Sequence, residues 1–196
     1  MFKIKSLQIA LFSLTISFSA LAGGPGTYKV SKSSLKWTGT KVTGKHEGLV
    51  KLASGTLISD GKNLSGGSFD IDMSSISCTD ISDAETNKNF VGHLKSDDFF
   101  GTDKHKTAHF VISKVSPVSG NEVNISGKMT IKGITKDISF PATVTHAGKT
   151  IKAKAKITID RSEYDVKFRS AKFFSDLGDK LINDDFIIDL DMEAGI

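Results

Sequence analysis

Apolar and polar residues alternate with a period of two along most of this chain. Phe69, Ile71 and Met73 share one parity, and Ser68, Asp70 and Asp72 the other. Val123, Ile125, Gly127, Met129 and Ile131 stand against Asn124, Ser126, Lys128 and Thr130. Phe186, Ile188, Leu190 and Met192 stand against Ile187, Asp189 and Asp191. Successive side chains of a strand point to opposite faces, so each segment predicts a strand with one dry face and one wet face. Between such segments, Asp60-Gly61-Lys62-Asn63, Ser119-Gly120-Asn121 and Ala147-Gly148-Lys149 predict hairpin turns. Gly and Asn accept the positive φ that tight turns demand. About eight or nine antiparallel strands are expected between Ser34 and Ala194. That spacing argues a barrel or a sandwich, and closure into a barrel removes exposed edges.

One stretch departs from the alternation. Ser82-Asp83-Ala84-Glu85 fits a capping box, and Phe90 and Leu94 follow four apart on one helical face. A helix is predicted from about Asp83 to Leu94, lying against the barrel or across one end. The chain shows no internal repeat, low-complexity tract or linker to a second domain.

The first 22 residues have the order of a secretory signal peptide. Lys3 and Lys5 precede an apolar run from Leu7 to Phe18, and Ala20-Leu21-Ala22 offers small residues for cleavage. The run is shorter than the roughly 20 apolar residues of a membrane span. A cut after Ala22 leaves 174 of 196 residues, as a single domain over 23–196, and lowers the formal charge from +4 to +2. That balance supplies no strong field for nucleic acid, and no stable membrane anchor is expected. Cys78 is the single cysteine, so no internal disulfide forms and stability rests on the core.

The strand from Ile151 to Ile159 bears on function. Lys152, Lys154 and Lys156 face one way, and Ile151, Ala153, Ala155, Ile157 and Ile159 the other. Eight strands close to an interior that side chains just fill or that holds one small ligand. Small inward residues such as Ala153, Ala155, Gly127 and Ala142 leave room for a ligand, or else seat a large ring from across the barrel. Parity alone leaves both open. The lysine row fits a solvated strand face better than a head-group site.

Catalytic and metal patterns are weak. His105 and His109 have helical metal-ligand spacing, but they fall where a strand is predicted, and a structural zinc site needs about four ligands. Adjacent carboxylates at Asp97-Asp98 and Asp184-Asp185 point apart in extended chain. No serine-nucleophile elbow, zinc-protease helix motif or phosphate-binding glycine loop is present. The expectation is a protein that is not an enzyme, with no metal and no cofactor.

Four stretches give the chain a resemblance. They are His93-Leu94-Lys95-Ser96-Asp97-Asp98-Phe99-Phe100, Gly127-Lys128-Met129-Thr130-Ile131-Lys132-Gly133-Ile134-Thr135-Lys136, Ile159-Asp160-Arg161-Ser162-Glu163-Tyr164, and Leu177-Gly178-Asp179-Lys180 through Asp185. In this order, from about Tyr28 to the C-terminus, they resemble the YceI-like family of bacterial periplasmic polyisoprenoid-binding proteins. His105-Lys106 departs from a common Tyr-Pro, and Met129 from a common leucine. The resemblance implies an all-β fold, a single antiparallel up-and-down eight-stranded lipocalin-like barrel with one short helix. It also implies a periplasmic location and a long-chain isoprenoid or similar lipid as partner, and it tips the interior towards hollow.

The expected wall is then the inward parity set: Trp37, Phe69, Ile71, Phe110, Ile112, Met129, Ile131, Phe140, Ala153, Ala155, Ile157, Tyr164, Phe168, Phe186, Ile188 and Leu190. Trp37 and Tyr164 each carry a polar atom that needs a partner when buried. Backbone is the expected partner for Trp37, while for Tyr164 backbone and head group stay open. Arg161 is a further candidate for an anionic head, but local hydrogen bonding within its turn is the favoured reading. An enzyme acting on a lipid or small amide, and a filled-core module acting through its surface, remain as alternatives. A homodimer stays open.

Overall fold

The computed structural model describes residues 24–196. The leader expected over 1–22 lies outside the described residues. Alternation becomes strand throughout: β1 Pro25–Lys41, β2 Gly44–Asp60, β3 Leu64–Cys78, β4 Thr107–Ser119, β5 Glu122–Ile131, β6 Ile134–Ala147, β7 Thr150–Asp160 and β8 Ile182–Gly195. Each pairs antiparallel with the next, and β8 closes on β1 to complete a barrel. β1 starts well before Ser34. Its entry was hidden by the polar run Ser31-Lys32-Ser33-Ser34, all of it exposed, which masks the alternation.

One helix, α1 (Ala84–Lys95), interrupts the strands. Its cap is Asp83, one residue beyond the expected Ser82. The Asp83 side chain accepts from the Thr86 amide at 2.8 Å. Asp and Ser are nearly equal as N-caps, so adjacent candidates are separable only by backbone geometry. No helix among the described residues is long and apolar enough to cross a membrane.

The up-and-down order gathers the β1–β2, β3–β4, β5–β6 and β7–β8 connections at one end of the barrel. The long ones are there: α1 between β3 and β4, and the 161–181 segment between β7 and β8. At the other end the turns are tight, with Gly61, Gly120 and Gly148 at φ of 96°, 53° and 60°. Outward residues pair across strands. Lys152 and Lys154 oppose Glu193 and Asp191 at 3.7 and 2.7 Å, and Lys156 stands opposite Asp189 in register. The lysine row is thus one side of a cross-strand charge ladder.

Candidate functional site: the barrel interior

The inward faces of the strands enclose a cavity of about 220 Å³. Packed interiors rarely hold voids larger than a water molecule, so this is no packing defect. Its wall is almost entirely apolar. All the expected wall residues line it except Tyr164 and Phe168. Among them, Trp37 lies on β1, Phe69 and Ile71 on β3, Phe110 and Ile112 on β4, and Met129 and Ile131 on β5. Phe140 follows on β6, Ala153, Ala155 and Ile157 on β7, and Phe186, Ile188 and Leu190 on β8.

The two small inward residue types behave differently. A Cβ on Gly127 would stand 2.7 Å from the Phe110 ring, and one on Gly48 2.6 Å from the Trp37 indole. These glycines seat aromatic rings. Ala142, Ala153 and Ala155 instead border the cavity, where their short side chains keep it open.

The structure adds lining residues absent from the expected set. β1 to β3 contribute Leu35, Val50, Leu52, Met73 and Ile76. Met73 carried the signal already, since it shares parity with Phe69 and Ile71. The β3–β4 connection adds Phe90, Leu94, Phe99 and Phe100, which cover the loop-rich end. Their signal was the four-residue spacing of Phe90 and Leu94 and the Phe-Phe pair.

Polar lining is confined to that same end. It consists of Thr40, Lys41, His46, Arg161 and Asn183, beside the Trp37 indole. Trp37 Nε1 donates to the Ser77 carbonyl at 3.0 Å. Asn183 Nδ2 donates to Thr40 Oγ1 at 2.8 Å. Arg161 is 4% exposed. Its guanidinium donates to the carbonyls of Asn183, Val166 and Ile182 at 3.1, 2.8 and 2.9 Å, and lies 3.3 Å from Asp184. Three of its five N–H donors go to the protein's own carbonyls, and its charge is paired with Asp184.

Tyr164 sits in a short 3₁₀ turn, Arg161–Tyr164, that follows β7. Burial, reinforced by Glu163 and Asp160, pushes its phenol up to about 12. Among the described residues its hydroxyl has no hydrogen-bond partner. Phe168 packs outside the cavity wall, with its ring centroid 4.6 Å from His93 and 5.4 Å from Phe99. His105 and His109 do not converge on a ligand. His109 Nδ1 instead bonds Asp70 Oδ1 at 2.6 Å.

The fold and site define a closed antiparallel β-barrel with a hollow apolar interior and a helix at one end. The YceI-like domain model matches residues 27–194, and the chain belongs to this family. A UPF0312 protein of Staphylococcus aureus (strain USA300) is 35% identical over 86 residues, 40% of this chain and 47% of that protein. The chain thus matches about half the length of such relatives. Among solved structures, BcnA of Burkholderia cenocepacia superposes with a TM-score of 0.68 at 24% identity, over 84% of this chain and 97% of that one. A polyisoprenoid binding domain from Saccharophagus degradans, implicated in plant cell wall breakdown, superposes at 0.64 with 15% identity, over 86% and 97%. At these identities the two likenesses establish the fold.

Proposed function

We propose that this is an exported binding or carrier protein that takes a long apolar lipid chain, of the polyisoprenoid type, into the barrel. The observation that carries the reading is the apolar cavity itself, running between the inward faces of all eight strands. The polyisoprenoid binding of the S. degradans domain supports it. The leader-like first 22 residues support export to the periplasm.

The driving force is removal of the chain from water. Each buried CH₂ contributes roughly 0.8 kcal/mol, so an isoprene unit offers about 3–4 kcal/mol gross. Micromolar affinity needs about 8 kcal/mol net. Three or four buried units meet that after ordering costs. The wall offers no hydrogen bond along the tail, so selection is by length and shape. A polar head belongs at the end where Thr40, Lys41 and Asn183 gather.

A filled-core module requires a solid interior, which the cavity does not match. For an enzyme, the lining lacks a nucleophile and base in contact. Its ionisable side chains among the described residues are Lys41, His46 and Arg161, and Arg161 is already paired.

The test blocks the cavity from its small side. Ala153→Trp and Ala155→Phe are expected to abolish uptake of a fluorescent polyprenol while the circular dichroism spectrum is retained. Native mass spectrometry of detergent-free wild-type protein should show an added hydrophobic mass that both variants lack. Undiminished uptake in both folded variants overturns the wall assignment. A wild-type protein that stays free of lipid, and takes up none when it is offered, overturns the carrier reading.

A further inference from the structure

We propose that His46, Cys78 and Asp80 form a binding site for a divalent cation of the zinc class at the loop-rich end of the barrel. The register of β2 and β3 builds it. Cys78 ends β3 and pairs with Gly48, two residues beyond His46. The ladder continues past the strand, because the Thr79 amide donates to the Glu47 carbonyl at 2.9 Å. That bond delivers Asp80 beside His46. One donor atom from each side chain then lies within 4.8 Å of the others.

The donors already face one another. His46 Nδ1 is 2.9 Å from Asp80 Oδ2, and Cys78 Sγ donates to Asp80 Oδ1 at 3.2 Å. Zinc bonds of about 2.0–2.3 Å in a tetrahedron put donor atoms roughly 3.4–3.6 Å apart. The two contacts run to different oxygens of Asp80, so one of them is within about half an ångström of a tetrahedral edge, and the other closes as the carboxylate turns one oxygen to the cation. The sulfur–imidazole edge, no longer than 4.8 Å, closes by rotation of the half-buried His46 ring.

The supporting contacts are also in place. The Glu47 amide donates to Asp80 Oδ1 at 2.8 Å and aims the carboxylate. Asn87, on α1, donates to the carbonyls of Cys78 and Ile81 at 3.0 and 2.9 Å, holding the turn that carries Cys78 and Asp80. The His46 ring rests on Phe90, centroids 4.5 Å apart. Such outer contacts orient ligands and raise metal affinity.

The donor set chooses the ion. Thiolate with imidazole selects zinc and its neighbours over magnesium or calcium, which take oxygen. When the cation binds, the S–H bond breaks and its proton leaves to solvent, so the thiolate and the metal pair. The neutral imidazole, whose Nδ1 proton is donated to Asp80 before the cation binds, moves that proton to Nε2 by exchange with solvent and ligates through Nδ1. The carboxylate ligates as it stands. Three protein donors leave a fourth position for water or another oxygen. Because α1 is held to this turn, the cation also fastens the element that covers the cavity end.

The site shares His46 with the polar end of the cavity, and it is read without lipid. Reduced protein is titrated with Zn²⁺ by calorimetry and with Co²⁺ by absorption. One cation per chain is expected, with a thiolate-to-cobalt charge-transfer band. Cys78→Ser should lose the band, and His46→Gln and Asp80→Asn should each weaken zinc binding at least tenfold. His105→Gln should change nothing, and excess Mg²⁺ should not compete. Circular dichroism checks that every variant is folded. A missing charge-transfer band, or zinc binding by folded Cys78→Ser as tight as by wild type, overturns the proposal.

Discussion

Arg161 shows how much one residue depends on partners distant in sequence. Its turn reads clearly in the chain, yet its partners at Ile182 and Asn183 lie on β8. From sequence it was a candidate for an anionic head, with local hydrogen bonding in its turn the favoured reading. Folding decides for the protein's own carbonyls. Removing one partner of a buried charged pair costs about 3–5 kcal/mol, because the remaining groups stay buried and unpaired. Arg161→Ala would strand Asp184 and three carbonyl oxygens. Urea unfolding should show a loss of that size, and a loss below about 1 kcal/mol would contradict this account.

At the level of elements, the inward faces were legible because period two is a local property. Phe69, Ile71 and Met73 point inward as their parity dictates. The start of β1 was not legible, since its polar run hides the alternation. The helix was placed to within a residue, and its cap was misassigned between two equivalent residues. β5 carries the element-scale prediction. At Gly127 any Cβ would fall 2.4 Å from the Val111 carbonyl of β4 and 2.7 Å from the Phe110 ring. Backbone cannot yield as a flexible side chain does, and overpacking typically costs about 1–3 kcal/mol. Gly127→Val should lower the melting temperature well beyond the change at Gly120→Ala, where the glycine meets open space and only its φ of 53° resists. Equal melting temperatures would show that β4 and β5 separate without cost.

For the whole molecule, the carboxylates set the acid limit. Asp60 is held low by the Asn63 and Lys62 amides, and Asp97 by Lys104. Burial acts to raise Asp80, but the Glu47 amide, His46 and Cys78 outweigh it and bring it to about 2. Each group binds its proton less readily when folded than when unfolded. Their stabilisation is therefore complete above the ordinary carboxylate value of 3.8 and is lost as pH falls towards 2. Unfolding midpoints in urea should be level from about pH 7 to 5 and fall steeply between about pH 4 and 2. A midpoint that holds constant down to pH 2 would mean these contacts do not form in solution.

The alternation that turns Phe69, Ile71 and Met73 inward and the glycine turns at Gly61, Gly120 and Gly148 follow from local chemistry, and the sequence determined them by itself. The count of eight strands, the start of β1 and the places of Tyr164 and Phe168 off the wall came only with the fold. Whether the inside is hollow was decided only by the closed barrel. Gly127 and Ala153 are equally small on paper, but Phe110 reaches into the space beside one, while the other borders the cavity. The same holds for His46, Cys78 and Asp80, more than thirty residues apart in part and meeting through the β2–β3 register. Contacts across a closed sheet depend on register and closure, which couple distant segments, and no local pattern carries that information.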